Sequence, residues 1–233
     1  MLGGWGEYVA AFLAFAFTHA LPARPALRGR LVGALGERGY LLAYSALSVA
    51  LLAWLIAAAG RAPFLPLWPF APWQLWVPNI AMPLACLLIA FGAGAANPLS
   101  FGGGGGGRFD PERPGIAGVA RHPLLWAIAL WAGAHAVPNG DLAHVLLFGG
   151  FAAGALAGMV AIDRRRRRAL GEAEWRRLAA RTSFWPLAAL ADGRWRPRGL
   201  APDPRRLGAA LLLYAALLLA HRPVIGVSPL PLL

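Results

Sequence analysis

Charged residues are scarce in this sequence, and lysine is missing altogether. Only 14% of the 233 residues are charged, against about 25% in a typical soluble domain. Hydrophobic residues make up 58% of the chain, and the mean hydropathy is +0.55. All 22 basic residues are arginine, which we interpret as coding bias rather than a demand for guanidinium chemistry. This composition excludes an ordinary soluble domain and is typical of an integral membrane protein.

Cysteine and the common catalytic motifs are also rare or missing. The single cysteine, Cys86, rules out an internal disulfide, and its apolar neighbours predict a core thiol. The sequence contains no HExxH, CxxC, nucleophile elbow or Walker motif, so hydrolysis and nucleotide turnover have no support. The net charge of +12 is spread between apolar runs instead of forming one basic face, so we expect no nucleic-acid partner.

Six apolar stretches are long enough, or nearly so, to cross about 30 Å of hydrocarbon: 5–22, 40–60, 76–97, 122–138, 142–162 and 206–221. Arginine-rich and arginine-poor connections alternate between them, so the positive-inside rule assigns 23–39, 98–121 and 163–205 to the cytoplasm. We predict an all-α, polytopic membrane helix bundle of six transmembrane helices, with both termini periplasmic and one domain over 1–233. The N-terminus lacks the basic region of a cleaved signal peptide, so the first span is expected to remain as an anchor.

Two of the spans carry patterns that predict contacts between helices. Tyr40, Tyr44 and Ser48 recur every four residues and form one polar stripe, which we expect to face other helices. The fifth span has a small residue at every fourth position, which permits close approach of another helix: Gly150, Gly154 and Gly158.

The connections also carry local signals. Asp141 follows a Pro-Asn-Gly turn and is positioned to cap the helix that begins after it. Asp163 precedes the pentarginine Arg164–Arg168, and we expect it to pair with one of these arginines. Residues 102–107 form a glycine run that we interpret as a flexible linker. Residues 169–181 predict a short helix on the cytoplasmic face.

Five histidines are the main candidates for chemistry, because a histidine within or beside a span is costly unless it has a partner. His19 and His122 lie at the cytoplasmic ends of the first and fourth spans. His135, His144 and His221 lie near the outer ends of the last three spans. Two interpretations stay open. In one, each of the five histidines is a hydrogen-bonded structural residue. In the other, either the cytoplasmic group or the outer group of histidines holds a metal or a haem.

Helix geometry limits which histidines can share one iron. His122 and His135 are thirteen residues apart, about 20 Å along a helix axis. Two axial ligands of one iron lie only about 4 Å apart, twice a metal–nitrogen bond of about 2 Å. These two histidines therefore cannot bind one iron on a continuous helix. The pairs His19 with His122, and His135 with His221, are compatible in depth.

Arginines at the cytoplasmic ends of the spans are candidates for binding an anionic group such as a propionate or a phosphate. They are Arg121 and the arginines of 24-RPALRGR-30, of which Arg24 is the first. The alternative is that they contact lipid headgroups and set the orientation of the chain.

Several stretches resemble the NnrU family of bacterial membrane proteins. The most specific is the block 114-PGIAGVARHPLLWAIALWAGAHAVPNGD-141. The others are 18-THALPARPALRGRL-31, 36-GERGYLLAYSALS-48, 97-NPLSFG-102, 163-DRRRR with Gly171 and Trp175, and HRPVIGVSPLP from His221. This resemblance covers essentially the whole chain. It implies a multi-pass protein of the bacterial inner membrane that is associated with denitrification and responses to nitric oxide.

The family is in turn related to ζ-carotene isomerase, a membrane enzyme with b-type haem that isomerises a polyene double bond. That relation implies a haem b cofactor and a lipid-soluble small molecule as substrate. The haem-ligand histidines of the isomerase correspond to His19 and His135 in this sequence. The remaining cofactor candidates are His122, His221, Arg24 and Arg121.

A more distant likeness is to isoprenylcysteine methyltransferases and membrane sterol reductases. They share the RHP element and a following tail, here 171-GEAEWRRLAARTSFWP-186. The likeness implies S-adenosylmethionine or NADPH held from the cytoplasmic side near Arg121, His122 and residues 164–186. The pentarginine stands where the methyltransferases have acidic residues.

Three functions follow as hypotheses. The first is a haem b protein of nitrogen-oxide metabolism, or an isomerase of a lipid-soluble substrate. The second is a methyltransferase or reductase with a soluble cofactor. The third is a non-catalytic assembly partner of respiratory complexes, with the glycine ridge as its interface. The sequence leaves open whether the protein is an enzyme and what its oligomeric state is.

Overall fold

The computed structural model describes residues 3–20, 25–102, 107–197 and 202–231. Within these ranges the chain folds into nine α-helices and one 3-10 turn, Pro72–Leu75, and its only extended pairing is an isolated bridge between Pro66 and Asp141. The helices are α1 Gly3–Ala20, α2 Pro25–Arg61, α3 Trp76–Gly92, α4 Ile116–Val119, α5 Pro123–Ala136, α6 Leu142–Leu170, α7 Glu172–Ala179, α8 Ala188–Ala191 and α9 Pro204–Ile225.

Four stretches within the described residues are helical, long and apolar enough to cross a membrane: Ala26–Arg61, Pro72–Gly92, Leu142–Leu170 and Pro204–Ile225. They leave many large apolar side chains exposed, such as Leu42 on α2, Ile80 on α3 and Leu219 on α9. A protein in water rarely exposes such continuous apolar surface, whereas lipid solvates it without cost. The structure is therefore that of an all-α, multi-pass membrane protein.

Proline and glycine set several of the helix ends. Pro123 and Pro204 occupy the first turns of α5 and α9, where a missing N–H costs nothing. The Asp203 carboxylate accepts from the N–H of Arg205 at 2.9 Å and caps α9. Gly226 ends α9 with a left-handed backbone, φ 91°.

Helix α2 begins earlier than the sequence predicts, because residues 25–39 are helical rather than an irregular connection. Eight of the fourteen residues 26–39 are alanine, leucine or arginine, which favour helix, and the helix forms despite four glycines among them. Gly36 interrupts the helix with φ 70° and ψ 163°, values that only glycine adopts readily. The glycine run 102–107 is described only at Gly102 and Gly107, and its middle lies outside the described residues.

The chain forms two compact units. The first comprises Met1–Pro69 and Asn139–Leu147. Here α1 packs antiparallel to the second part of α2: Glu7 pairs with Arg61 at 2.5 Å near one end, and His19 contacts Tyr44 near the other. The contact between His19 and Tyr44 confirms for Tyr44 that the polar stripe faces another helix.

A tight turn completes the first unit. The Gly140 carbonyl accepts from the N–H of Leu67 at 2.7 Å, and Leu142 N–H donates to the Leu65 carbonyl at 2.9 Å. Asp141 Oδ1 accepts from the N–H of His144 at 3.3 Å, which confirms the predicted cap of α6. The other carboxylate oxygen accepts from His144 Nδ1 at 2.7 Å.

The second unit comprises Phe70–Pro138 and Phe148–Leu233. Helix α3 packs against both α5 and α9. One cluster of buried residues in this unit consists of Ala85, Leu88, Ala120 and Ala127. Cys86 is fully buried, as predicted. The Arg206 guanidinium donates to the carbonyls of Ala90 and Phe91 at 2.8 and 2.9 Å, which satisfies the C-terminal end of α3.

A smaller cluster on the same unit lies under α7. Leu99, Leu178 and Ala179 are its buried members, with Phe109 and Trp175 packed against them. Helix α7 confirms the short helix predicted within 169–181. It begins after Gly171, whose φ of 80° turns the chain between α6 and α7.

Candidate functional site

A buried polar cluster forms where the start of α5 meets α6. His122 is completely buried: its Nε2 donates to Asp163 Oδ1 at 3.1 Å, and its Nδ1 lies 3.1 Å from Ser100 Oγ. The Arg121 guanidinium donates to the other oxygen of Asp163 and, through Nε, to Thr182 Oγ1 at 2.7 Å. One carboxylate therefore binds two consecutive side chains, and every member of the cluster is hydrogen-bonded.

The backbone around this cluster is fixed by further polar contacts. Asn97 Nδ2 donates to the Arg121 carbonyl at 2.9 Å, and the Arg121 N–H donates to the Ser183 carbonyl at 2.6 Å. Ser183 Oγ donates to the Gly118 carbonyl at 2.5 Å. The side chain of Trp195 covers Gly118 so closely that a Cβ there would lie 2.5 Å from the indole. Three other segments are thus held against the RHP element, through Asn97 and Ser100, through Asp163, and through Thr182 and Ser183.

Burial and charge act in opposite directions on Arg121. Burial lowers the pKa of its guanidinium, and the negative charge of Asp163 opposes that shift. Arginine keeps its proton in proteins even so. Arg121 and Asp163 therefore form a buried ion pair, and His122 is a second hydrogen-bond donor to the same carboxylate.

The prediction that Asp163 pairs with an arginine of the run after it is wrong, because its ion pair is with Arg121. On a helix, neighbours in sequence point to different sides, so Asp163 faces inward while Arg164 faces outward. The sequence interpretation also missed the acceptors Ser100 and Thr182. A signal was present, since both are polar residues inside stretches already singled out.

Trp175 lies between two guanidinium groups at the edge of the cluster. The Cζ atoms of Arg121 and Arg167 are 5.1 and 4.8 Å from the centre of its ring. Its Nε1 is buried and has no hydrogen-bond partner among the described residues, and the same holds for Nε of Arg166. Orphaned buried donors of this kind call for an acceptor.

A second candidate site lies at the other end of α5, where two histidines meet. The rings of His135 and His221 are 6.4 Å apart between centres and nearly parallel, at 23°. Nδ1 of His135 donates to the Trp131 carbonyl at 2.8 Å, and Nδ1 of His221 donates to the Val227 carbonyl at 2.9 Å. His135 and His221, whose depths are compatible on sequence grounds, thus lie next to each other.

The remaining histidine candidates have other hydrogen-bond partners. His19 belongs to the first unit, where its Nδ1 donates to the Phe15 carbonyl at 2.8 Å and its ring stacks on Phe15. His144 is held by Asp141 in the same unit. Arg24 lies outside the described residues. Within the described residues, no group of three or more His, Cys, Asp or Glu side chains is arranged to hold a metal ion.

The family profile described as NnrU protein matches residues 7–229. The chain belongs to the NnrU family. Comparison with curated proteins and with solved structures gives no significant match. Three of the stretches that resemble NnrU proteins meet in the buried cluster of this NnrU-family protein: 97-NPLSFG-102 supplies Ser100, the RHP block supplies Arg121 and His122, and 163-DRRRR supplies Asp163.

Proposed function

We propose that this NnrU-family protein is a six-span protein of the bacterial inner membrane with both termini in the periplasm. The four long apolar helices of the described residues support a multi-pass arrangement. The proposal assigns α1 and α5 as the two further membrane spans. Helix α5 has 14 residues and rises about 21 Å, less than the hydrocarbon thickness of about 30 Å. Either the bilayer is locally thinner at α5, or the residues that flank α5 complete the crossing. The alternation of arginine-rich and arginine-poor connections supports the orientation.

The proposal assigns haem b to the second unit, where His135 and His221 would hold it. The observation that carries it is the near-parallel pair of rings 6.4 Å apart. If both rings bound one iron through bonds of about 2 Å, the distance from each bonded nitrogen to the centre of its ring would add to this length. The two ring centres would then lie roughly 6 Å apart. In both histidines Nδ1 donates to a backbone carbonyl, the contact that commonly fixes the tautomer of a metal-binding histidine. The spacing of these two imidazoles and the anchoring of each Nδ1 are what support both rings holding one haem iron.

The pair implied by the isomerase relation, His19 and His135, shares one ligand with this assignment. We prefer His221 as the second ligand because its ring lies 6.4 Å from that of His135, centre to centre, within the second unit. The variants described at the end of the Discussion separate the two pairs.

The residues around His135 have the task of holding and shielding its ring. Trp131 and Phe148 lie 5.7 and 5.6 Å from it, centre to centre, and provide an apolar surface on one side. Haem b, when bound, supplies a redox-active iron whose behaviour depends on its axial ligands and on the polarity around it. Such a site supports a role in nitrogen-oxide metabolism, or in the isomerisation of a lipid-soluble substrate that reaches it from the bilayer.

The experiment is an absorbance spectrum of the full chain, purified in detergent from cells grown with ample iron. A Soret band that moves when dithionite and then nitric oxide are added supports the haem proposal. A folded sample without a Soret band, also after incubation with hemin, overturns it.

One observation favours a second candidate, a methyltransferase or reductase at the cytoplasmic face. The loop after α7 lies directly against the RHP element: Trp126 Nε1 donates to the Phe184 carbonyl at 2.9 Å, and Arg121 N–H donates to the Ser183 carbonyl. The segments that hold cofactor in the distant relatives are therefore adjacent here. Thermal stabilisation by S-adenosylmethionine or NADPH supports this candidate, and no shift at millimolar ligand argues against it.

A further inference from the structure

Three arginines of α6 line a surface cleft at the point where its apolar run ends. The cleft has a volume of about 430 Å³ and is lined by Arg164, Arg167, Arg168 and Glu172. Positions 164, 167 and 168 are three and four residues apart, which puts their side chains on one face of the helix. The apolar part of α6 ends at Ile162, so the cleft begins at the membrane–water interface of the proposed topology.

The only carboxylate among the lining residues is already neutralised. Glu172 accepts from Arg167 Nε and Nη2 at 2.5 and 2.6 Å, and from Arg176 Nε at 2.6 Å. These arginines, Arg167 above all, hold the pKa of Glu172 below its usual range, so it is ionised at neutral pH. It therefore has little capacity left to neutralise the other two arginines of the cleft.

Arg164 and Arg168 remain as a like-charged pair. They are four residues apart on one helix, a spacing at which like charges repel. Arg168 Nε donates to the backbone carbonyl of Arg164 at 3.3 Å, and this hydrogen bond holds the Arg168 guanidinium beside the cleft. The partial negative charge at the C-terminus of α6 is equivalent to about half a unit, too little to neutralise two guanidiniums.

We propose that this cleft binds a phosphoryl anion between Arg164 and Arg168. Guanidinium groups bind phosphate oxygens in pairs of parallel hydrogen bonds, and basic pockets at the cytoplasmic face commonly hold anionic headgroups. Two sources supply the same chemistry here: the headgroup of an anionic phospholipid, and a free phosphate compound from the cytoplasm. The proposal is independent of haem, because the cleft and the two histidines share no residue.

The test compares ligands on the delipidated full chain in detergent. Native mass spectrometry counts bound phosphatidylglycerol and, as a neutral control with the same acyl chains, phosphatidylcholine. Thermal shift measures inorganic phosphate and pyrophosphate. Stronger binding of phosphatidylglycerol than of phosphatidylcholine identifies the lipid as the source. Binding of the soluble phosphates without any preference for phosphatidylglycerol identifies the free anion.

The variants decide whether the cleft is the binding site. Arg164→Gln with Arg168→Gln is expected to weaken the preferred ligand on the order of tenfold. The matched control is Arg177→Gln with Arg181→Gln, which removes the same charge from exposed ion pairs with Glu174 and Glu112 outside the cleft. It is expected to bind as the wild type does. The two single cleft variants, each with a smaller loss, replace the double variant if it does not fold.

Equal losses in the cleft and control variants would show that only the overall charge attracts the anion, and the proposal would be overturned. It would be overturned as well if the wild type bound none of these anions. The absorbance spectrum of the cleft variant is expected to match that of the wild type, so this test and the haem test fail separately.

Discussion

The guanidinium of Arg121 and the carboxylate of Asp163 form an ion pair whose side chains are only 9% and 16% exposed. The same carboxylate accepts from His122, so it holds two residues of the RHP element to α6. A buried pair of this kind adds little net stability compared with apolar residues of the same shape. Removing one partner is different, because the remaining charge stays buried without compensation.

Asp163→Ala is therefore expected to destabilise the protein by about 3–5 kcal/mol, because it leaves Arg121 buried and unpaired. The measurement is thermal or denaturant unfolding of the purified protein in detergent. Asp110→Ala is the matched control, since it breaks an exposed pair with Arg113 and is expected to change stability little. Equal losses of stability in the two variants would show that Asp163 is not the buried partner of Arg121.

Gly118→Ala is expected to destabilise the protein by about 1–3 kcal/mol, because its methyl group would lie 2.5 Å from the Trp195 indole. The matched control is Gly154→Ala on α6, where a Cβ meets nothing within 4 Å. There, alanine is expected to be neutral or to stabilise by up to about 1 kcal/mol through its helix propensity. The reverse order of the two melting temperatures would contradict the packing around Gly118.

The pH dependence of stability is expected to reveal the ion pairs of Glu172. Its pKa is lowered in the folded state from an ordinary value of 4.5, chiefly by Arg167. A lowered carboxyl pKa contributes stability above the unfolded value, and this contribution is lost as the pH falls through the folded value. The difference in melting temperature between wild type and Glu172→Gln is therefore expected at pH 7 and should vanish well below pH 4.5. A difference that persists in acid would mean that the amide acts through packing instead.

Reporter fusions are expected to divide the chain between the two sides of the membrane. Alkaline phosphatase is active only in the periplasm, so a fusion after Gly140 should be active and one after Gly171 inactive. The arginines of 164–168 supply the physical reason, because they are retained on the cytoplasmic side. Green fluorescent protein at the same two positions should give the opposite pattern. Phosphatase activity of the fusion after Gly171 would contradict this topology and would show that the chain has the opposite orientation in the membrane.

The sequence was sufficient to predict α1, α3, α5 and α9 with approximately the observed limits, because hydropathy, proline and glycine act locally, whereas α2 begins earlier and α6 ends later than predicted. It predicted the cap at Asp141 and the buried thiol of Cys86 for the same reason. The early start of α2 was missed, since the arginines marked residues 25–39 as a connection, although alanine, leucine and arginine among them favour helix. Hydropathy reports where a helix meets lipid, not where its hydrogen bonds begin.

The buried cluster was only half predictable. Arg121, His122 and Asp163 were each singled out, but the partner of Asp163 depends on which face of α6 packs inward. Ser100 and Thr182 are far from Arg121 in sequence, so their contacts require the tertiary fold. The approach of His221 to His135 was compatible with their depths, yet depth alone did not distinguish it from other pairs.

The absorbance spectra of four histidine variants test the central claim most directly. Under the haem proposal, His135→Ala and His221→Ala are expected to lose or strongly shift the Soret band of the purified protein, because each removes one of the two histidines proposed to hold the iron. His144→Ala, with its side chain held by Asp141, is the matched control and should keep the wild-type spectrum. His19→Ala should keep it as well. A band that survives His221→Ala and is lost in His19→Ala would contradict the assignment.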